Sequence, residues 1–186
     1  MLDYIKFLKD KIQGYSFLSL IRLELESLFF GIFGLIPTTL GILFRGVIAK
    51  IFFKECRGFA WIQPKVIIVH SDRLSVGTKL GINSGTYINA IGGIEMGNDV
   101  LIGSNVTISS GMHPIEGDTP SIFERQTIPK KIIIEDDVWI GAGAVIMPGI
   151  RLAKGTVVGA NSTVTKDTEE YSIVVGSPAK LLKKRM

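Results

Sequence analysis

The sequence holds a single cysteine, Cys56, and only two histidines, His70 and His113. One thiol excludes a disulfide framework and a four-cysteine zinc site, and it fits a reducing compartment such as the cytoplasm. Two imidazoles exclude any metal centre that draws three histidines from one chain, so no metal is expected. Proline is scarce at 7 of 186 residues while glycine reaches 21, which excludes collagen-like and proline-rich chains. Charged residues make up 20% against 46% hydrophobic, a balance that a disordered chain does not show. Mean hydropathy is +0.36. That is more apolar surface than one small core absorbs.

The charge is uneven. The net charge of +4 divides into +3 over residues 1–57, −3 over residues 58–179 and +4 over the last seven residues. The middle of the chain has no basic stripe with interleaved aromatics, so nucleic acid is not expected as a partner. Basic ends suit an anionic lipid surface or a phosphorylated small molecule.

Residues 1–60 read as a helical, membrane-associated segment. Apolar residues recur at three and four: Ile5, Leu8 and Ile12, then Leu18, Ile21, Leu25 and Leu28. Ser27 to Phe44 carries no charge over 18 residues. As one helix it would span about 27 Å, short of a hydrocarbon core of ~30 Å. Pro37 breaks it in the middle, and Gly31, Gly34 and Gly41 loosen it. The expectation is an interfacial hairpin of two half-helices rather than a span or a signal peptide. Arg45, Lys50, Lys54 and Arg57 then follow among apolar residues and read as a basic amphipathic face. Residues 28–53 are the segment expected to make peripheral membrane contact. The competing reading packs it on the next domain or on a neighbouring subunit.

From Val76 the period changes. An aliphatic residue recurs every sixth position at Val76, Ile82 and Ile88. After a slip of two it resumes at Met96, Ile102 and Ile108, and again at Ile134, Ile140, Ile146, Leu152, Val158 and Val164. Gly or Ala often follows, as in Gly77, Gly97, Gly103, Gly141, Ala153 and Gly159. Six fits neither an α-helix nor a hairpin sheet. It fits the flat rungs of a parallel β-helix, aliphatic inward and a tight turn at the next residue.

Between Ile108 and Ile134 the repeat fails. Gly111, Met112, His113, Pro114, Gly117, Asp118, Pro120 and Pro129 belong to a protruding loop, assigned to residues 111–131. A long loop without its own structure in a compact domain is usually functional. His113 sits at its root. His70 lies in the less regular first coil and reads as structural or surface.

The motifs carry a resemblance. They are Tyr87-Ile88-Asn89, Val106-Thr107-Ile108 leading to His113-Pro114, and the block from Ile134-Glu135-Asp136-Asp137-Val138-Trp139-Ile140-Gly141-Ala142-Gly143-Ala144 through Pro148-Gly149. Val158-Gly159-Ala160-Asn161-Ser162, Val164-Thr165-Lys166-Asp167 and Gly176-Ser177-Pro178-Ala179-Lys180 complete the set. Residues 76–186 thereby resemble the hexapeptide-repeat acyltransferases, and most of all the galactoside, maltose and polysaccharide O-acetyltransferases. The resemblance implies a mainly β fold: a left-handed parallel β-helix over residues 61–177, preceded by the helical segment and followed by a basic tail at 178–186. It implies a homotrimer that binds acetyl-CoA in a groove between subunits.

It also implies roles. His113 matches the family's general base, which takes the proton of an attacking hydroxyl, a task that imidazole suits. No serine elbow or catalytic cysteine motif appears, so direct transfer in a ternary complex is simpler than an acyl-enzyme. Asn89 matches an acceptor-binding asparagine, and Trp139 offers a flat wall to the cleft. Ala142 and Ala160 match positions whose backbone meets the pantetheine arm, and Thr165 and Lys166 a pair near the adenine. Lys180 and Lys183 stand where basic residues meet the 3′-phosphate. The small-sugar enzymes carry a longer insert after the asparagine, with an acid that binds the sugar. Here only six residues separate Asn89 from Met96. The expected acceptor is therefore a hydroxyl of a cell-surface glycan precursor or nucleotide sugar, modified in the cytoplasm at the inner membrane face.

Other classes stay open. An N-acetyltransferase of an amino sugar nucleotide would use a similar base, but residues 1–60 lack the glycine-rich turn of a nucleotide-binding start. Serine acetyltransferase has a longer helical start and a paired acid that are not apparent. A γ-class carbonic anhydrase needs three histidine ligands. A non-catalytic β-helix scaffold remains an alternative, since fold alone does not fix function.

Overall fold

The computed structural model describes residues 16–119 and 121–185. Ile5, Leu8 and Ile12 of the expected leading helix lie outside the described residues, as does Pro120 of the loop.

The uncharged run folds as the sequence predicts, into two helices with a break. Helix α1 covers Phe17–Phe33 and helix α2 covers Thr39–Phe52. Both start on a hydroxyl cap: Ser16 Oγ accepts from Ser19 N at 3.1 Å, and Thr38 Oγ1 from Gly41 N at 3.4 Å. Pro37 stands in the break, where its fixed φ does not disturb either helix. Neither helix is long and apolar enough to cross a membrane. Helix α2 buries Ile42, Ile48, Ala49 and Phe52 toward the next strands, while α1 buries only Glu26.

Of the four cations expected on a basic face, Arg45 leaves it, while Lys50, Lys54 and Arg57 are exposed. Arg45 is fully buried, donating from Nε to Ile62 O at 2.8 Å and from Nη1 to Phe33 O and Ile36 O at 2.7 and 2.9 Å. Carbonyls at the end of α1 have no intrahelical partner, and the guanidinium supplies one. Lys50 folds back onto Cys56 O and Arg57 O. Arg45 and Lys50 thus both serve backbone acceptors, the first from the interior and the second at the surface.

Among the described residues, three parallel sheets form the faces of a solenoid. The first face stacks Glu55–Cys56, Leu74–Val76, Ile94–Met96, Ile132–Ile134 and Arg151–Leu152. The second stacks Ala60–Ile62, Leu80–Ile82, Leu101–Ile102, Trp139–Ile140, Val157–Val158 and Ser172–Val175. The third stacks Ile67–Val69, Tyr87–Asn89, Thr107–Ser109, Val145–Ile146 and Thr163–Val164. The predicted sixth-position residues point inward in register: Ile82, Ile102, Ile140 and Val158 form one column, and Ile88, Ile108, Ile146 and Val164 another. All are buried. Each such side chain contributes ~1.5–3 kcal/mol of burial.

The fold extends past both ends of the repeat found in the sequence. The solenoid begins at Glu55, inside the segment read as helical, because α2 ends at Phe52 and its chain enters the first face directly. At the far end, Lys180–Lys184 is no loose tail. It pairs antiparallel with Ser172–Val175 and covers the last sheet edge, which would otherwise offer unpaired backbone groups. The slip of two has a structural cause as well. The corner after the third face is wider in the early rungs, where His70 leads a 3₁₀ turn at Ser71–Arg73 and Ala90–Gly93 turns below it.

Corner residues take positive φ, with Gly and Asn stacked in alternation. Gly143 (φ 70°) lies over Asn161, and a Cβ at Gly143 would sit 2.2 Å from Asn161 Oδ1. Only glycine leaves that asparagine its place.

Candidate active site

The corner after the third face gathers the polar residues. Asn89 ends one strand, Ser110 follows the next, and the loop leaves directly above as an antiparallel pair, Gly111–Met112 with Ile128–Pro129. Ser110 fastens the loop root: its carbonyl accepts from Lys130 N at 2.7 Å, and its Oγ accepts from Gly92 N at 2.8 Å while donating to Asn89 O at 2.9 Å. Farther out, Arg125 Nη1 donates to Pro114 O and Glu116 O at 3.0 and 2.9 Å, which holds the loop in a closed turn. His113 stands between these two fastenings with its side chain exposed.

Asn89 is held by its oxygen. Oδ1 accepts from Ile91 N at 3.1 Å and lies 3.1 Å from His70 Nδ1. An amide oxygen only accepts, so His70 carries its proton on Nδ1. Both contacts use Oδ1 and leave the Nδ2 protons for a ligand. Burial depresses the His70 imidazole below its ordinary range, against the opposing pull of the Asn89 hydrogen bond. The sequence reads His70 as structural or surface, and the structure sets it against Asn89. The signal lies in the register, since Val69 stands opposite Asn89, one rung ahead of the regular period that starts at Val76.

The remaining sequence-predicted residues divide between edges. Thr165 and Lys166 follow Thr163–Val164, so they share the Asn89 corner several rungs farther on. Lys166 and Lys180 line one cleft of about 300 Å³ with Val164, Thr168 and Leu181. Lys183 lies beside it, opposite Ile173. Ala142 and Ala160 are exposed on the other corner, between the second and third faces, on successive rungs: Asn161 N donates to Ala142 O at 2.8 Å. Trp139 lies on the second face, in register with Leu101 and Val157. Within one chain the structure thus joins His113, Asn89, Thr165 and Lys166 along one edge. It sets Ala142, Ala160 and Trp139 apart from them.

The second face carries an apolar stripe. Trp61, Leu101 and Trp139 are each about half exposed, and Phe59 meets Trp61 edge-on at 6.2 Å between ring centroids. No group of three or more metal-ligating side chains occurs among the described residues.

Residues 131–166 match the family model of the bacterial transferase hexapeptide, six repeats. The chain is 40% identical over 92 residues to a galactoside O-acetyltransferase of Lactococcus lactis, covering 49% of this chain and 43% of that one. It is 32% identical over 124 residues to the galactoside O-acetyltransferase of Escherichia coli, covering 67% and 60%. The matched part is less than two thirds of each relative's own length. Among solved structures, the hexapeptide-repeat acetyltransferase of Vibrio cholerae in complex with acetyl-CoA superposes with a TM-score of 0.79 at 25% identity, covering 92% of this chain and 91% of that one. The fold and repeats define a parallel β-helix of the hexapeptide class. Residues 131–166 carry that family's repeats, and the chain is similar in sequence and fold to hexapeptide-repeat acetyltransferases.

Proposed function

We propose that the protein is an acetyl-CoA-dependent O-acetyltransferase acting on a hydroxyl of a sugar or glycan precursor. The observation that carries the reading is His113 at the fastened root of the loop, on the same edge as Asn89. His113 takes the hydroxyl proton as that oxygen adds to the thioester carbonyl. A backbone amide near Ala142 steadies the oxyanion, and the imidazolium returns its proton to the departing thiolate. General-base help of this kind contributes ~10²–10⁴ in rate. Lys166 and Lys180, which line one cleft, suit a phosphate of the donor as point charges.

The division of residues between two edges supports a homotrimer. One chain offers the base and Asn89, and a neighbour's Ala142 and Ala160 corner supplies the facing wall. The half-exposed stripe of Trp61, Leu101 and Trp139 is the apolar surface such packing would use. The two helices support work at the inner face of a membrane. Between Ser27 and Ala49 the one charged residue, Arg45, is turned inward, so the exposed Leu28, Ile32, Leu35, Leu40, Leu43 and Val47 meet solvent with no charge among them.

The test is thiol release from acetyl-CoA against sugars, oligosaccharides and nucleotide sugars, with product analysis for ester or amide. Acceptor-dependent ester formation is expected. Amide formation on an amino sugar nucleotide would move the protein to N-acetyl transfer. No release, together with no CoA binding, would leave the scaffold reading.

A further inference from the structure

Helix α1 crosses the first rung beside the strand Ile67–Val69 and leaves a cavity of about 320 Å³ between them. Leu23, Phe30, Val66 and Ile68 wall it, and Glu26 and His70 supply its polar groups. Glu26 is 4% exposed, and neither carboxylate oxygen makes a hydrogen bond of ordinary geometry. The Ser71 hydroxyl lies near enough to draw on it but donates to Phe52 O at 3.0 Å. The nearest cation is already committed. Arg22, one helical turn earlier, pairs with Asp72 at 3.4 Å and donates to Phe52 O and Ser71 Oγ. A buried carboxylate without well-formed hydrogen bonds is costly to keep, and such groups mark sites where a ligand completes the bonding. The cavity is also coupled to the corner above it, since His70 touches Asn89 on the next rung. The loop root lies a further rung on, and rungs are ~4.8 Å apart.

Resting on the reading that Asn89 faces the acceptor, we propose that this cavity is a second acceptor subsite, which binds the sugar ring next to the one that is acetylated. The chemistry fits a hydroxylated ring. The two carboxylate oxygens accept from vicinal hydroxyls. The apolar C–H face of the ring lies on Phe30 and the aliphatic wall. The volume stands at the lower end of small-molecule pockets, ~300–1,000 Å³, and so suits one ring rather than a long chain. The acceptor is then at least a disaccharide unit.

Gly31 gives a clean handle. It lies at the mouth, is exposed, and a Cβ there would meet nothing within 4 Å. Gly31→Phe therefore sets a bulky ring at the mouth without a backbone clash, and Glu26→Gln removes the charge while keeping the shape. The probes are lactose, maltose and chitobiose, each against its monosaccharide, in two measurements: thiol release, and direct binding by saturation-transfer NMR. In the wild type at least one disaccharide is expected to bind tenfold or more tighter than its monosaccharide. Gly31→Phe should erase that preference, and Glu26→Gln should reduce it severalfold, in KM far more than in kcat. Disaccharide binding that depends on Gly31 and Glu26 without any thiol release would uphold the subsite and sink the transfer reading. Disaccharides that bind no better than monosaccharides, or a preference indifferent to both variants, would overturn the subsite.

Discussion

Arg45 Nε lies 2.8 Å from the carbonyl oxygen of Ile62, so the second helix is tied by a fully buried cation to the first strand of the second face. The same guanidinium also serves Phe33 O and Ile36 O, across the break between the helices. One side chain thus joins α1, α2 and the solenoid. Removing it strands three carbonyls, each buried orphan costing ~1–3 kcal/mol. Arg45→Met should lower stability by about 3 kcal/mol or more. Arg45→Lys should not rescue it, because one ammonium lacks the planar fork that reaches three acceptors. Chemical denaturation, with proteolysis of the break at 34–38 as a local probe, checks both. A loss below about 0.5 kcal/mol, the range of ordinary surface changes, would mean that the bonds are replaced by water.

Glu26 acts in the opposite direction. Desolvation raises its carboxyl above the ordinary value of 4.5, partly opposed by Ser71 and Arg22. A raised folded-state value means that the folded protein holds this proton more tightly than the unfolded chain. Its contribution to stability is therefore fully present below about pH 4.5 and is lost as pH rises through the folded value. At neutral pH the charge is a burden. Glu26→Gln should stabilise the protein at pH 7 by about 1 kcal/mol, and the gain should shrink on acidification toward pH 4.5. Thermal melts of both proteins across that range test it. A gain that grows with acid would reverse the sign and refute the assignment.

The corner pair Gly143 and Asn161 predicts a coupled effect. Gly143→Ala places a Cβ 2.2 Å from Asn161 Oδ1, at a φ of 70° that alanine adopts poorly. The single change should cost about 1–3 kcal/mol. Adding Asn161→Ala should return part of it, with a coupling of about 0.5 kcal/mol or more. Strictly additive losses would show that backbone strain alone, rather than the stacked amide, requires glycine there.

These particulars show what was legible in the sequence. The period of six was visible because each inward aliphatic makes the same contact on every rung, so Ile140 and Ile146 repeat the constraint on Ile102 and Ile108. The break at Pro37 was visible for a local reason, the fixed φ of proline. Arg45 was not, because its partners are carbonyls, which leave no trace in side-chain pattern. The first rung was hidden by its wide corner at Ser71–Arg73, which shifts His70 off the period although it lies against Asn89. The strand at Lys180–Lys184 was hidden by its charge. It pairs by backbone only, and its side chains are exposed.

His113 predicts a separation of functions. Its side chain is exposed at the loop root and holds no rung together, so His113→Ala should keep assembly and CoA affinity. Thiol release with the best acceptor should fall by ~10²–10⁴. Sedimentation and CoA titration run beside the kinetics. Intact rates would remove the residue from catalysis, and a dissociated assembly would make it structural.

The helices predict a lipid contact that depends on one face. Leu35 lies in the break, and Leu43 and Val47 lie on α2, all about half exposed or more. None of the exposed apolar residues between Leu28 and Val47 has a charged neighbour on the surface of that stretch, because Arg45 is fully buried. A helix face that stays apolar from Leu40 to Val47, with Lys50 following one turn later, is stabilised by being covered, and burial of one leucine is worth ~1.5–3 kcal/mol. A bilayer interface covers it without being spanned, which suits helices too short to cross. Wild-type protein should float with vesicles of phosphatidylglycerol and phosphatidylethanolamine, and Leu35→Glu with Leu43→Glu should reduce the bound fraction at least tenfold while melting and assembly stay unaltered. If flotation is absent and the double substitution instead changes the oligomer, the face belongs to a neighbouring copy. The acceptor then need not be membrane-bound.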